Sequence, residues 1–540
     1  MSELDTVKVD SPAKEQASSG SGAPGREKIL AEGPASGSVS MVKKIFSFPA
    51  MLGGLLVVGV YVARRDFDVD PDFWWHLKIG DGILATHHWP VADHFSFTAA
   101  GNPWISAEWL SEVLFSAVAR LGGLRGLEAL FVLLGAAILV ALYTFATLRA
   151  KNSKAGFVAA AILLVLATAN FNLRPQMLGY LFLILTLIAL ERFRQGHPRA
   201  LWFLPFLFLL WVNTHPSWEI GLGTLFVYWM SGWKEMRLGG IEMHAWRPAE
   251  RIRLALTFLL CVAVLPITPY GTRLAAFPFQ FVSALPNNLA YINEWQPMAF
   301  DQPGPKLFLI LMFVIFAAQI ALKLVWPLEE VALFLFGFML ACLHARFLLV
   351  FVPFCASLLA TTVALWVPKY DRQKDQYLLN ALLLCSMLLG MIWYFPARKA
   401  IEENVAKHFP LHAVEYLREH PVPGPMFNAY NFGGYLVWST GPEHKVFIDG
   451  RGELYEPAGV FPDYIHITLL KPGALKVLRN YQIRSCLLER EQPLATLLSA
   501  RADWQQVYSD RTSMLFIYRD GRDLVGKPAT ASQTEGGGRK

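Results

Sequence analysis

A polytopic α-helical membrane protein with a small α/β domain after its last span is the fold class the sequence predicts, and three observations predict it. Hydrophobic residues make up 54% of the 540-residue chain and charged ones 17%, well below the roughly 25% of an ordinary soluble protein. The apolar residues are gathered into about eleven runs, some of them short, on the scale of the roughly 17–25 residues that cross a bilayer as a helix. After residue 397 the composition turns to that of a soluble unit.

Taken in order, residues 1–40 are rich in Ser, Gly, Ala, Pro and Lys. Burial there cannot offset the entropy of ordering the chain, so a disordered cytoplasmic tail is expected. The apolar run from Ile45 is longer than the h-region of a cleaved signal peptide and lies far from the start. Membrane helices are expected at 46–63, 127–148, 156–172, 177–192, 201–213, 217–233, 252–267, 306–323, 328–342, 346–366 and 377–396.

Short cytoplasmic loops retain Lys and Arg. Lys43 and Lys44, then Arg149, Lys151 and Lys154, then Arg192, Arg194 and Arg199, then the run from Lys234 to Arg253, then Lys323, and finally Lys369, Arg372 and Lys374 fall on every second loop. This alternation predicts a protein of the cytoplasmic (inner) membrane with its N-terminus inside and its C-terminus outside. The transmembrane domain is then 41–397, with a long first external loop at 64–126. The net charge of +6 reads as a topology signal, and no nucleic-acid partner follows from it.

An extracytoplasmic α/β domain is expected at 398–520, followed by a second disordered tail at 521–540. Helical spacing runs from Pro410 to His420 and from Gly473 to Tyr481. Strand patterns cover Lys445–Asp449, Ile483–Glu489, Trp504–Tyr508 and Met514–Tyr518. Gly433 and Gly434 lack the rest of any nucleotide-binding fingerprint, so no nucleotide cofactor is expected. Cys261, Cys342, Cys355, Cys385 and Cys486 have neither CxxC spacing nor the pattern of a disulfide framework.

Polar motifs concentrate on the external side. Asp66, Asp68, Asp70 and Asp72 alternate in RRDFDVDPDFWWHL (64–77), and Trp74, Trp75 and His76 follow directly. The same side carries Glu108 in WISAEWLSE, NFNLRPQ (170–176), NTHPS (213–217), PYGTR (269–273), NEWQP (293–297) and HAR (344–346). The cytoplasmic loops hold basic residues with no comparable motif. Ionisable groups at a membrane boundary are costly and usually kept for function, so the clustering argues for one extracytoplasmic site. Capping of helix ends is the plainer use of the same residues.

The long acidic first external loop, the many spans and the external C-terminal domain resemble the GT-C class of integral membrane glycosyltransferases. The resemblance is nearest to the bacterial RgtA/B/C/D-type and mannosyltransferase-like group. It covers roughly residues 45–400 and rests on DPDFWWHLKIGDGI, the RPQ element and the NTH element. It implies hexosyl or pentosyl transfer from a polyprenyl-phosphate sugar donor to a lipid, glycan or protein acceptor on the extracytoplasmic face. It also implies an acidic residue of the first external loop that acts as general base or helps hold a divalent cation. Asp70 and Asp72 occupy the matching place, with Asp68 as a third.

The residues can be weighed on their own chemistry. An extended segment puts Asp68, Asp70 and Asp72 on one side, and Pro71 favours extension at Asp70; such oxygen donors suit Mg²⁺ or Mn²⁺. His76 falls one helical turn after Asp72. Paired tryptophans most often anchor a helix at the membrane surface, and stacking on a sugar ring is their other use. A lipid-phosphate donor needs cations, and Arg174, Arg273 and Arg346 lie at external span ends; Arg forks match phosphate oxygens, although such arginines also snorkel to headgroups. Gln176, Asn213, His215, Glu294 and His344 complete the candidate substrate-binding set, and Glu108 is a second catalytic carboxylate. Glu112, one turn on, reads as surface polarity. Asp449 and Arg451 in VFIDGRGELYE follow a buried strand, where sites often lie, and a salt-bridged turn explains them equally. A secondary transporter would instead show midplane charges and repeats, and a non-catalytic assembly or receptor protein would use the outer domain for a partner.

Overall fold

The computed structural model describes residues 37–63, 70–167, 171–284, 286–441 and 444–519. The expected tails, apart from Gly37–Ile45, which forms a short helix, lie almost wholly outside these residues, as do Asp66 and Asp68. Among the described residues every run expected to be a membrane span is helical. The first helices are Phe48–Ala63, the later part of Trp109–Ala150, Ser153–Ala167, Gln176–Arg194, Leu204–Thr214 and Trp218–Ser231. Pro248–Val264, Pro303–Leu322, Leu328–Leu343, Leu348–Val363 and Tyr377–Trp393 follow. Among the described residues four helices are long and apolar enough to cross a membrane singly, and Tyr377–Trp393 with Arg398–His408, bent by 64°, would make a fifth if the pair is one span. The chain is thus a multi-pass helical membrane protein.

The basic loops hold more than topology signals. Arg194 Nη2 lies 2.5 Å from Glu191 and 3.0 Å from Glu330, Arg194 Nη1 lies 3.3 Å from Glu329, and Arg149 pairs with Glu330. The three carboxylates are buried, so a paired cluster stands where sequence reading finds no motif. Near it a small sheet joins β1 (Met236–Leu238), β2 (Ile241–Met243) and β3 (Trp326–Pro327) in that order.

The described part of the segment between the first two expected spans is largely helical. Phe73–Thr86 packs on the opening turns of Trp109–Ala150, and a Cβ at Gly80 would overlap the backbone carbonyl of Glu112. Trp109–Ala150 then breaks at Gly123 (φ 56°, ψ −150°), a backbone conformation that glycine adopts most readily. Phe73 to His76 are all buried, so this helix is no exposed surface anchor. Trp74 sits edge-on to Tyr435, with centroids 5.0 Å apart, and 4.7 Å from Trp438.

The region after the last span is α/β. Its sheet runs β4–β5–β7–β6, from β4 (Met426–Asn428), β5 (Ser485–Glu489), β6 (Trp504–Ser509) and β7 (Ser513–Tyr518). Helices Leu411–Glu419 and Ala474–Asn480 fall where their spacing predicts. Lys445–Asp449, expected as a buried strand, is buried at 446–449 but forms no strand and does not join this sheet; it makes a single bridge, Ser96 to Val446. It bonds instead to the first loop: Val446 N donates to Phe95 O at 3.0 Å and Phe97 N donates to Val446 O at 3.1 Å. The strand β4 and the helices Tyr430–Thr440, Val460–Thr468 and Pro493–Ser499 have no counterpart in the sequence reading.

Candidate active site

Phe73–Thr86 starts at Asp72, whose side chain makes no capping bond to the helix although Asp is a favoured N-cap. Asp70 does the local work, accepting from Asp72 N at 2.9 Å. The Asp72 carboxylate is left to reach outward, one oxygen toward Trp75 Nε1 at 3.4 Å and the other to Arg174 Nη2 at 3.0 Å. Arg174, in the RPQ element ahead of helix Gln176–Arg194, also meets Asp70 at 2.6 Å through Nη2 and Glu294 at 2.6 Å through Nη1. Glu294 lies 3.3 Å from Arg346, whose guanidinium stacks 4.0 Å above the ring of Trp295.

Three carboxylates thus share two guanidinium groups, and full ionisation would leave an excess negative charge in a poorly hydrated place. Burial pushes Asp72 up to about 8 against the pull of Arg174, and it raises Asp70 as well. Glu294 is also desolvated, but Arg174 and Arg346 more than offset this and hold it below the usual carboxylate range.

A second polar chain meets the first. His76 Nδ1 is 2.9 Å from Glu112 Oε1, and Ser106 Oγ donates to the other oxygen of Glu112. His76 Nε2 approaches Glu108 Oε2 at 3.4 Å, and His215 Nε2 approaches Glu108 Oε1 at 3.2 Å. Ser217 N donates to His215 Nδ1 at 3.1 Å. A backbone N–H can only donate, so a neutral His215 carries its proton on Nε2, facing Glu108. Burial lowers His215 to about 3, which keeps it neutral. Glu108 is pushed up to about 8, first by burial and then by repulsion from Glu453. Glu112, expected at the surface, is fully buried, because the close approach at Gly80 covers its turn.

Asp70, Asp72, His76 and Glu108 line one cavity of about 720 Å³ with Arg174, Gln176, His215, Glu294 and Arg346. The lining also includes the apolar or aromatic Tyr180, Ile220, Phe277, Pro278, Phe347 and Val350, with Glu219 beside Ile220. Three expected binding residues stand outside it. Asn213 accepts from Trp109 Nε1 at 2.8 Å and donates to Leu209 O and Ile267 O, so it ties helix ends together. His344 Nδ1 lies 2.6 Å from Trp295 O and fixes that turn. Arg273 is exposed on its helix.

The place between Asp70 and Asp72 that a divalent ion would take is filled by Arg174 Nη2, and among the described residues no group of three or more His, Cys, Asp or Glu side chains could hold a metal ion. Asp68, the third expected ligand, lies outside those residues.

Sequence reading misses several lining residues. Glu453 borders the cavity and accepts from Trp104 Nε1 at 2.8 Å. It belongs to the same VFIDGRGELYE motif whose Asp449 and Arg451 are buried behind the wall. Tyr430 and Gly450 also face in; a Cβ at Gly450 would overlap the Asp72 carboxylate. That glycine in a loop beside an expected buried strand was the available signal.

No family model and no curated protein matches the chain. Solved structures do. An oligosaccharyltransferase of Archaeoglobus fulgidus, tethered to an acceptor peptide containing the NVT sequon, is similar over 83% of this chain and 70% of its own, with 11% identity and a TM-score of 0.50. ArnT from Cupriavidus metallidurans bound to undecaprenyl phosphate is similar over 89% and 98%, with 14% identity and a TM-score of 0.46. The likeness to the archaeal enzyme is one of fold.

Proposed function

We propose that this chain is a GT-C-type glycosyltransferase, moving a hexosyl or pentosyl group from a polyprenyl-phosphate donor to a lipid, glycan or protein acceptor on the extracytoplasmic face of the cytoplasmic membrane. In this reading all eleven helical runs cross the membrane, with the N-terminus inside and the α/β region outside. The observation that carries the proposal is the composition of this cavity: an apolar stretch leads to two arginines and a row of carboxylates. That is the order in which a lipid tail, a phosphate and a sugar would be met.

The roles follow from what each group already holds. Both Nη atoms of Arg174 are engaged by carboxylates, so Arg346, paired only to Glu294 at 3.3 Å, is the phosphate ligand. Charge developing on the leaving phosphate is stabilised there, since fixed cations act strongly in a water-poor site. Asp70 and Asp72, the bases implied by the family resemblance, are committed to Arg174 and orient it. Glu108, like Glu219 and Glu453, lines the cavity with no arginine bonded to it, and it is the one of the three that faces both His76 and His215; it is the general base. In one displacement the acceptor oxygen bonds the anomeric carbon, the bond from that carbon to the phosphate oxygen breaks with its electron pair, and the acceptor proton passes to Glu108. A single displacement inverts the anomeric configuration.

Membranes carrying the full-length protein, given a panel of radiolabelled polyprenyl-phosphate hexoses and pentoses, are expected to transfer label from at least one donor. Glu108→Gln should lower kcat by about 10²–10⁴-fold, the usual contribution of a positioned base. A base must be ionised, so wild-type kcat/KM should rise with pH through about 8, where burial places Glu108. Equal transfer by wild type and Glu108→Gln would remove that residue from the mechanism. No transfer from any donor would favour a transporter or a partner-binding protein.

A further inference from the structure

Glu112 touches no cavity surface, yet it is the end of a continuous polar chain that reaches the cavity. Ser106 Oγ–H donates to one of its oxygens, and His76 Nδ1 sits 2.9 Å from the other. Burial raises the Glu112 carboxyl well above the usual carboxylate range and lowers His76 well below the usual imidazole range, so each takes its charge only together with the other. With Glu112 ionised, His76 carries its proton on Nδ1, and its Nε2 lone pair then faces Glu108 Oε2 at 3.4 Å, too far for a good hydrogen bond. Two acceptors face one another across that gap, and only an added proton joins them. On its other oxygen Glu108 faces His215 Nε2 at 3.2 Å, which already carries a proton and cannot take a second while buried and neutral.

We propose that Glu112 is a positioning residue that makes His76 the onward acceptor of the proton Glu108 takes from the substrate, so that Glu112, His76 and Glu108 work as a carboxylate–imidazole–carboxylate relay. This rests on the glycosyltransferase reading above. The bookkeeping is closed: the acceptor O–H breaks as its oxygen bonds the sugar, the proton passes to Glu108, then to His76 Nε2, and the resulting imidazolium is held by Glu112 through Nδ1–H. The logic is that of the serine-protease triad, where a buried carboxylate fixes the tautomer and steadies the charged ring. The groups facing the relay are Asp72 ahead of Phe73–Thr86, Arg174 ahead of Gln176–Arg194, His215, Arg346, and Arg451 and Glu453 from the α/β region.

The test uses the donor panel above and full-length protein. Glu112→Gln can turn its amide N–H toward His76 Nδ1, which forces the proton onto Nε2 and blocks the relay. The expected result is a kcat reduced by about a hundredfold, a donor KM within about twofold of wild type, and a rising pH limb displaced to lower pH because Nε2–H now stabilises ionised Glu108. Glu112→Asp should recover part of the rate and the wild-type limb. Trp75 stacks on His76 with centroids 3.6 Å apart, so the fluorescence lost in Trp75→Phe reports the charge on that ring. Its pH midpoint should move in Glu112→Gln without any substrate present. If Glu112→Gln does not fold, Ser106→Ala, which leaves Glu112 protonated more readily, should shift the limb the same way by less. An unmoved limb and an unmoved fluorescence midpoint overturn the relay, whatever the rate. Absence of transfer in wild type overturns the function, and the fluorescence midpoint still reads the relay.

Discussion

At the scale of single residues, Arg174 holds the polar end of the cavity together. It bonds Asp70, Asp72 and Glu294 at once, and none of the three has another arginine except Glu294. Removing one partner of a buried ion pair leaves uncompensated charge, at a cost of about 3–5 kcal/mol. Arg174→Ala should therefore lower thermal stability in detergent, and neutralising Asp72 in the same chain should return much of the loss. Arg174→Lys keeps the charge but not the planar fork, so it should fold and still transfer poorly. A wild-type melting temperature for Arg174→Ala would mean the three carboxylates do not depend on it. The sequence made Arg174 and Asp72 visible as candidates, yet not as partners: they are 102 positions apart, and only the fold shows that the cation expected for the donor phosphate is spent on the acids expected to be bases.

At the scale of elements, two glycines decide what the helices can bury. Gly80 lets Phe73–Thr86 close on the turn that carries Glu112, and Gly450 lets the loop after the buried 446–449 segment reach Asp72. Overpacking usually costs about 1–3 kcal/mol, so Gly450→Ala should destabilise the protein modestly. Its larger effect should be on transfer, because the displaced atom is the Asp72 carboxylate; a rate within twofold of wild type would show that the loop can retreat. The membrane helices were legible because long apolar runs admit few other structures. Glu112 was not. One turn after Glu108 on an amphipathic helix, it has the same sequence pattern whether its face meets water or a second helix, and the deciding contact comes from Gly80, which carries no polarity signal at all. Lys445–Asp449 was legible as a buried segment, while its hydrogen-bond partner, residues 95–97, lies far along the chain.

At the scale of the whole molecule, the segment between the first two membrane runs and the α/β region form one wall of the site. Arg451 is buried between Asp93, at 2.8 Å, and Asp449, at 2.7 Å, and its guanidinium lies 5.0 Å over the ring of Trp104. Thr98 Oγ1 donates to Phe447 O at 2.6 Å, and Tyr455 OH donates to Asp449 at 2.8 Å. Sequence reading finds Asp449 and Arg451 and leaves them open between a site and a salt-bridged turn, since nothing local points to Asp93. The consequence is that the α/β region shapes the cavity directly, through Glu453, Tyr430 and Gly450. Arg451→Met keeps the side-chain volume and strands two buried carboxylates, so a loss of about 3–5 kcal/mol is expected. Because Asp93 and Arg451 share one interaction, Asp93→Asn combined with Arg451→Met should cost less than the sum of the two singles, with a coupling of about 0.5–3 kcal/mol. Limited proteolysis should then cut between residue 397 and the sheet in Arg451→Met while the membrane helices stay intact, and donor transfer should fall with it. Additive costs and an unchanged cleavage pattern would mean that the loop and the α/β region hold together without this pair.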